Sequence, residues 1–369
     1  MRAVVIDDVK ATPEVREVPR PAPPADGVVV RVMATGMCRS DWHAWAGHDG
    51  DVIFPHVPGH ELAGVIEEVG PHVRAWRVGD RVTVPFVCGC GLSSCEWCTS
   101  GNAQVCPDQQ QPGFTHWGSF AELVALHAAD ANLVAIPDGV DFATAASLGC
   151  RFATAYRALI SRARIAPNEW VVIFGAGGVG LSAVMIAKAI GARVIAVDRN
   201  PEALDVARSL GAEVSILAGG SRTDGAANPV GSAGSPEHLR SDDVPAAVSE
   251  LTAGGAHVSI DAVGSEQTSR DAVLSLRRRG RHVQVGLLPT DDGLARVPMA
   301  RAIAWELDIL GSHGMAAGDY PGMLALIAEG RLAPQRLIER TIGLEEAAAL
   351  LPRFDRATVA GMTMVDPRL

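Results

Sequence analysis

Short apolar runs punctuated by glycine and proline fill the first 150 residues of the chain. Their hydrophobic periodicity fits extended strands far better than helices. The clearest of these predicted strands are residues 28–32, 64–69 and 80–84. We therefore predict a β-rich N-terminal domain.

From about residue 170 the pattern changes to a repeat of strand, glycine turn and helix. An apolar strand is predicted at 170–174, a helix at 181–190 and a second strand at 193–198. Short apolar strands separated by helices are typical of a parallel sheet that is covered on both faces. The further elements that fit this pattern are strands at 258–261 and 282–285 and helices at 201–210 and 266–276. The second domain is therefore predicted to be a doubly wound α/β domain.

Three further segments complete the predicted organisation. Residues 219–244 are rich in Gly, Ser, Ala, Pro and Asp and have little to bury, so we expect an exposed, flexible insertion there. Beyond residue 314 the pattern predicts helices at 320–329 and 344–351. A last strand, at 358–365, is expected to return to the first domain.

The composition bounds the function classes. With 369 residues, 48% of them hydrophobic and 20% charged, the chain is long enough for two domains. A net charge of −10 argues against nucleic acid and anionic membrane surfaces as partners, because both favour a basic protein face. The start of the chain has no signal-peptide pattern, and no apolar stretch reaches the roughly 18 residues of a membrane helix. We therefore expect a cytoplasmic protein.

The seven cysteines are unevenly distributed, with five between Cys88 and Cys106 and two, Cys38 and Cys150, standing alone. The cytosol keeps thiols reduced, so metal binding or catalysis explains them better than disulfides do. Two metal sites would use six of the seven.

A glycine-rich turn follows the predicted strand 170–174 and opens the next helix. It consists of Gly175, Ala176, Gly177, Gly178, Val179 and Gly180. In such a motif the first glycine allows the tight turn, the second lets the backbone approach a pyrophosphate, and the last lets the helix pack on the strand. The free N–H groups of the helix N-terminus favour the phosphates. The segment therefore predicts a dinucleotide site.

The residue type at the end of the second strand bears on which dinucleotide binds. Asp198 lies about 20 residues beyond the turn, where an acidic side chain accepts hydrogen bonds from the ribose hydroxyls and repels a 2′-phosphate. NAD is therefore favoured over NADP. Arg199, the next residue, could pair with that phosphate, which keeps NADP open as the alternative.

Cys38, His60 and Cys150, with Glu61 beside the histidine, can form an open zinc site. Two thiolates and a neutral imidazole nearly cancel the charge of the ion and leave a fourth position where an alcohol oxygen can bind and lose its proton near neutral pH. A zinc site of this kind beside a dinucleotide site favours hydride transfer from an alcohol carbon.

The sequence motifs around these residues resemble those of a known family. The segments concerned are Gly-Met-Cys-Arg-Ser-Asp at 36–41, Pro-Gly-His-Glu at 58–61, Leu-Gly-Cys-Arg-Phe-Ala-Thr-Ala-Tyr at 148–156, and the turn at 175–180. Together they resemble the zinc-dependent alcohol dehydrogenases of the medium-chain dehydrogenase/reductase family. The resemblance covers essentially the whole chain apart from 219–244, and the motifs occur in the family's order.

The resemblance implies the architecture and the partners. It implies a GroES-like catalytic domain formed by 1–151 and 314–369 and a Rossmann cofactor domain at 152–313. It further implies zinc and NAD as cofactors, a small-molecule alcohol or its aldehyde or ketone as substrate, and a homodimer or homotetramer.

The resemblance also implies roles for individual residues near the zinc. Cys38, His60 and Cys150 match the three ligands of the catalytic ion. Glu61 matches a carboxylate that can approach the metal as ligands exchange. Asp41 matches the residue that hydrogen-bonds the ligating histidine and so sets its tautomer.

Four more positions match family residues that handle the proton and the cofactor. Ser40 and His43 match a route along which the alcohol proton leaves towards solvent, and an imidazole titrating near neutrality suits that task. Arg39 matches an arginine that pairs with a phosphate, and Thr154 matches a residue beside the nicotinamide.

The cysteine cluster resembles the family's structural zinc lobe, at about 88–106, but departs from its spacing. Cys95, Cys98 and Cys106 match the last three of the four thiolates. The family interval places Leu92, which cannot bind metal, at the first position. We therefore expect Cys90 to complete the site across a longer loop, with Cys88 as the weaker alternative.

Two other functions remain open from the sequence. The first is an NADP-linked aldehyde or quinone reductase of the same fold. The second is a non-enzymatic zinc or redox-sensing protein that uses only the cysteine cluster.

Overall fold

The computed structural model describes residues 1–219, 238–288, 294–356 and 361–369. These residues divide into two compact units, Met1–Ala153 with Gly314–Leu369, and Thr154–His313. The chain therefore leaves the first unit once and returns to it for its last 56 residues.

The strands of the described residues follow one another along both units. In chain order they are β1 (Arg2–Val5), β2 (Glu14–Glu17), β3 (Val28–Met37), β4 (Glu61–Val69), β5 (Arg81–Thr83), β6 (Leu123–Leu126), β7 (Val134–Ala135), β8 (Trp170–Phe174), β9 (Arg193–Asp198), β10 (Val214–Ala218), β11 (Leu239–Ser241), β12 (Ala256–Asp261), β13 (Leu276–Gln284), β14 (Asp308–Gly311), β15 (Ile338–Ile342) and β16 (Met362–Val365).

The α-helices lie mostly in the second unit and at the end of the chain. They are α1 (Arg39–Trp45), α2 (Glu96–Thr99), α3 (Ala129–Asn132), α4 (Phe142–Ser147), α5 (Ala153–Arg157), α6 (Gly178–Ile190), α7 (Pro201–Leu210), α8 (Val244–Leu251), α9 (Glu266–Leu274), α10 (Met299–Trp305), α11 (Tyr320–Ala328) and α12 (Leu344–Leu350). Within the described residues, none of these helices combines the length and apolar character that crossing a bilayer requires.

The first unit is built on a sheet with the order β15-β16-β3-β4-β5-β7, and β6 pairs with β3 as well. β3 is long and apolar, with Val28 to Val30 buried, because it is paired on both sides. The last strand, β16, runs antiparallel to β3, with Thr363 opposite Met37. The end of the chain therefore pairs with a strand of the first unit.

The second unit contains a wholly parallel sheet with the order β11-β10-β9-β8-β12-β13-β14. All five residues of β8 are buried, as expected for a central strand covered on both faces. Local signals define the helices: Asn200 caps α7, Pro201 occupies its first turn, and Gly211 ends it in the left-handed conformation. The doubly wound parallel sheet predicted from the periodicity is confirmed.

The segment expected to be a flexible insertion, 219–244, is described only in part. Residues 220–237 lie outside the described residues. After them, β11 pairs in parallel with β10, from Leu239 opposite Ile216 to Ser241 opposite Ala218. The end of the segment is thus an ordered edge strand, which its polar composition concealed. Of the predicted final strand, residues 358–360 also lie outside the described residues, and β16 covers 362–365.

Candidate active site

Cys38, His60 and Cys150 come together in the first unit. Cys38 directly follows β3, and His60 directly precedes β4, whose Glu61 lies opposite Gly36 in the antiparallel register. Cys150 lies in a five-residue π-helical turn, Leu148–Phe152. One donor atom of each of these three residues, and of Glu61, lies within 4.8 Å of the others. Strand pairing therefore gathers side chains that are up to 112 residues apart in sequence.

The His60 ring is held by a buried carboxylate. Its Nδ1 lies 2.9 Å from Oδ1 of Asp41, which also accepts a hydrogen bond from the Gly59 N–H at 3.1 Å. The other oxygen accepts from the Cys38 N–H at 2.8 Å. Asp41 and His60 are both completely buried. Asp41 thus fixes the orientation of the ring and of the turn that carries Cys38.

The second nitrogen of His60 is the clearest sign of a metal. Nε2 is buried and has no hydrogen-bond partner among the described residues. A buried polar atom without a partner costs about 1–3 kcal/mol, so its persistence calls for a ligand. With Nδ1 bonded to Asp41, Nε2 presents its lone pair beside two thiols, which is the donor set that zinc prefers. The residues present therefore fit a zinc ion.

The protonation of the three residues agrees with a cation site. The neighbouring Cys150 thiol, and after it His60, lower the pKa of Cys38 well below its usual value against the effect of burial. Burial opposes a charge on His60, but Asp41 and Cys38 outweigh it and raise its pKa well above the usual range. Cys38, and burial after it, raise the pKa of Cys150 well above its usual value. His60 and Cys150 thus hold protons that a divalent cation would displace.

Sequence reasoning missed Arg151, which binds Glu61. The backbone N–H of Arg151 donates to Oε1 of Glu61 at 3.0 Å, and its guanidinium donates to both carboxylate oxygens. Glu61 is completely buried, and the Arg151 side chain is 7% exposed. The signal in the sequence was a charged residue inside the apolar stretch around Cys150, which needs a buried partner.

The positions expected to handle a proton lie on α1. The Oγ of Ser40 is 3.7 Å from the Cys38 sulfur. His43, three residues further and on the same side of the helix, is partly buried and pairs through Nδ1 with His48 at 2.9 Å. His48 was not selected from the sequence. Arg39 is exposed at the start of the helix.

Aromatic rings surround the His60 side of the site. Phe114 and Phe86 lie with their ring centroids 5.1 and 5.9 Å from that of His60. Tyr320 is completely buried, with its hydroxyl 3.5 Å from the carbonyl oxygens of Leu148 and Gly149. These rings make the surroundings of the three donors apolar, which strengthens electrostatic interactions there.

The glycine-rich turn lies between β8 and α6 in the second unit. A Cβ atom on Gly180 would lie 1.7 Å from the carbonyl oxygen of Gly175, so only glycine fits there. A Cβ on Gly177 would meet no atom within 4 Å. The N-terminus of α6, from Gly178 and Val179 onward, therefore opens on free space, and that fits a pyrophosphate.

Asp198 ends β9 beside this turn. Its carboxylate accepts hydrogen bonds from the Ala176 N–H at 2.6 Å and from the Asn200 N–H at 2.8 Å. The side chain is thereby held at the carboxyl edge of the sheet, where a ribose would bind. Arg199 is exposed. Thr154 is buried, with 7% of its surface exposed, and is the first residue of the second unit.

The cysteine cluster converges as a second group. Sulfur atoms of Cys90, Cys95, Cys98 and Cys106 lie within 4.8 Å of one another. Cys88 is not among them: it is buried, its S–H points to the Pro85 carbonyl at 3.5 Å, and burial raises its pKa to about 12. A thiol that resists ionisation is a poor metal ligand. The geometry thus favours Cys90 over Cys88 as the fourth ligand.

Comparison with known proteins places these sites in a family context. Residues 24–138 match the alcohol dehydrogenase GroES-like domain family, and 178–329 match the zinc-binding dehydrogenase family. An alcohol dehydrogenase of Geobacillus stearothermophilus is 36% identical over 90% of each chain. The crystal structure of an NAD-dependent alcohol dehydrogenase has a TM-score of 0.83 and 28% identity over 99% of each chain. A Sinorhizobium meliloti 1021 protein described as a zinc-binding dehydrogenase, bound to NADP, has a TM-score of 0.82 and 26% identity over 99% of each chain.

Proposed function

Because the chain belongs to the zinc-type alcohol dehydrogenases of the medium-chain dehydrogenase/reductase family and is an alcohol oxidoreductase, we propose that it transfers a hydride between an alcohol and NAD at a zinc ion held by Cys38, His60 and Cys150. The substrate is a primary or secondary alcohol, or its aldehyde or ketone in reverse. The observation that carries the proposal is the unpartnered, buried Nε2 of His60 beside two thiols.

The residues around the metal divide the work of the reaction. Zinc with an open coordination position supplies Lewis acidity, which makes an alcohol hydroxyl easier to deprotonate. Asp41 accepts the Nδ1–H of His60 and thereby keeps the Nε2 lone pair for the metal. Phe86 and Phe114 exclude water from the imidazole.

The proton must leave before the hydride can depart, since hydride leaves readily only from an alkoxide. Ser40, within 3.7 Å of a ligand sulfur, is the hydroxyl placed to accept that proton first. His43, on the same side of α1, is the imidazole that receives it afterwards. Glu61 stays bound to Arg151 and compensates its charge, so that the buried guanidinium does not repel the metal.

The choice of NAD rests on Asp198. An ionised carboxylate at the end of β9 would accept the ribose hydroxyls of NAD and repel the 2′-phosphate of NADP. Gly177 would leave room for the pyrophosphate at the start of α6, and Gly175 and Gly180 would allow the tight turn that brings the backbone close to it. Arg199 and Arg39 are exposed and available to phosphate groups.

A second zinc ion would bind Cys90, Cys95, Cys98 and Cys106 as a structural ion, because four thiolates leave no open position for a substrate. The buried amide of Asn132 bonds both to the N–H and to the carbonyl of Gly89, at 2.9 Å each, and anchors this lobe to the sheet domain. Seven free thiols, six of them as zinc ligands, suit a reducing compartment such as the cytoplasm.

We propose further that the chain forms a homodimer or homotetramer. β14 is the last strand of the parallel sheet and is largely exposed. Near it in sequence, Ile303 and Leu294 are 74% and 73% exposed. A second copy pairing along β14 would cover both the strand edge and this apolar surface. Light scattering of the purified protein measures the subunit number.

The test of the proposed function is an initial-rate screen of primary and secondary alcohols with each nicotinamide cofactor. We expect turnover with NAD and a preference that shifts towards NADP in Asp198→Ala. Metal analysis should find two zinc ions per chain, and Cys38→Ala should lose one ion and all turnover. Undiminished turnover in Cys38→Ala would remove the zinc assignment, and an NADP preference in the unmodified protein would remove the NAD assignment.

A further inference from the structure

His48 is placed to take a proton from His43. The two Nδ1 atoms lie 2.9 Å apart, a hydrogen bond in which one ring donates and the other accepts. The backbone fixes this contact, because the His48 N–H donates to the His43 carbonyl at 3.0 Å. The Trp42 ring packs with its edge towards both imidazoles, at centroid distances of 5.0 and 5.4 Å. The pair is therefore held in register by backbone and side-chain contacts.

The two rings differ in their access to water. His43 is partly buried, whereas His48 is exposed. An imidazole can accept a proton at one nitrogen and donate another from the second nitrogen, so it conducts protons without moving. His43 can take a proton at Nε2 and release one from Nδ1, and His48 accepts it at its own Nδ1. A proton reaching His48 has arrived at the protein surface.

The charges around His43 favour onward transfer. Burial lowers the pKa of His43, as do the nearby His48 and Arg39, while the opposing influences of Cys38 and Asp49 are smaller. A proton that arrives on His43 is therefore weakly held.

We propose that His48 is the outer member of a two-imidazole proton relay, which accepts from Nδ1 of His43 the proton released by alcohol oxidation and passes it to solvent. The inference rests on the proposed function. Each turnover converts alcohol and oxidised cofactor to carbonyl product, reduced cofactor and one proton. The relay moves that proton alone. On His43 an Nε2–H bond forms and the Nδ1–H bond breaks; on His48 an Nδ1–H bond forms and the Nε2–H bond breaks, releasing the proton to water.

The test measures proton release directly in His48→Gln. Glutamine keeps a polar side chain but cannot conduct a proton through a ring. We expect single-turnover proton release, followed with a pH indicator, to slow by about tenfold, less than the loss of a full general base because water can still reach His43. Added imidazole should restore the rate, whereas the affinity for NADH and the zinc content should stay unchanged.

Two comparisons separate a relay from a structural effect. His72 is another exposed histidine of the first unit, so His72→Gln is the matched control and should behave as the unmodified protein. In a His43→Gln background, His48→Gln should have no additional effect, because the proton no longer reaches it.

The outcomes distinguish this inference from the proposed function. If the unmodified protein oxidises alcohols with NAD but His48→Gln releases protons at the normal rate, the relay is wrong and the proposed function stands. A slowed rate that imidazole cannot restore, or one that worsens further in the double variant, also overturns the relay. Absence of alcohol oxidation in the unmodified protein overturns the proposed function itself.

Discussion

Replacing Arg151 by methionine should destabilise the first unit strongly, because it leaves the Glu61 carboxylate buried without its partner. Three N–H groups of Arg151 donate to the two oxygens of Glu61, and neither side chain is open to solvent. The backbone of β3 closes the same space: a Cβ on Gly36 would lie 2.1 Å from Oε2 of Glu61.

The magnitude follows from the burial of the pair. Removing one partner of a buried ion pair costs about 3–5 kcal/mol, whereas replacing both by neutral groups of similar volume is often close to neutral. A loss of 1 kcal/mol lowers the melting temperature of a domain of 150–250 residues by about 2–4 °C. We therefore expect Arg151→Met to lower the melting temperature by about 6–20 °C, and the Glu61→Gln, Arg151→Met double variant to recover most of that loss.

The loss of stability caused by Arg151→Met should also depend on pH. Burial raises the pKa of Glu61 even with Arg151 present, and removing the guanidinium removes the largest influence from a side chain that opposes this rise. A carboxyl whose pKa is raised on folding binds a proton more tightly in the folded state, so stability is lost as pH rises through the folded pKa. The melting temperature of Arg151→Met should therefore be closer to that of the unmodified protein at pH 5 than at pH 8.

The assay is thermal unfolding by circular dichroism at both pH values, with zinc present in every sample to keep the metal contribution constant. Glu61→Gln alone completes the double-mutant cycle and gives the coupling between the two side chains. The reasoning is refuted if Arg151→Met melts within 2 °C of the unmodified protein, or if the double variant is no more stable than Arg151→Met.

Three further predictions test other parts of the structure. Burial lowers the pKa of His116 to about 4, so the unfolded chain binds a proton that the folded protein excludes between about pH 6.5 and 4. As pH decreases through that window, the free energy of unfolding should fall by up to about 3 kcal/mol. Urea unfolding of His116→Gln should show a smaller fall over the same pH range; equal falls in the two proteins would contradict this. Cys90→Ser should lose the lobe zinc in metal analysis while Cys88→Ser keeps it, and the opposite result would exchange their roles. Gly180→Ala should impair folding, whereas Gly177→Ala should melt normally but bind NADH weakly, as measured by fluorescence. Normal NADH binding by Gly177→Ala would refute the assignment of a pyrophosphate site at this turn.

Local signals made the second unit readable from the sequence. β9 and α7 have the predicted bounds, because strand apolarity, the Asn200 cap, Pro201 and the closing Gly211 all act within a few residues of one another. The glycine-rich turn is equally local, since a Cβ on Gly180 would meet the Gly175 carbonyl of the same turn and Gly177 borders open space. Composition is misleading where the polar segment after residue 219 ends in β11, because an edge strand needs few apolar residues. The elements β10, α8, α10 and β14 also have no counterpart among the predicted ones.

The sequence by itself thus determined the fold class, the family and the residue types that a zinc and dinucleotide site requires. The family resemblance further predicted that Cys38, His60 and Cys150 meet and that Asp41 bonds the imidazole, but not the packing that brings them together. The β3–β4 register sets Cys38 beside His60 and gives Asp41 two backbone donors and an imidazole to bind. Folding also pairs Glu61 with Arg151, which lies 90 residues away in the sequence. Such contacts depend on how distant segments pack, and spacing along the chain carries no record of that. For the same reason the sequence leaves Cys88 and Cys90 as alternatives and does not predict His48 as partner of His43, whereas the folded chain favours Cys90 and shows the contact between the two histidines.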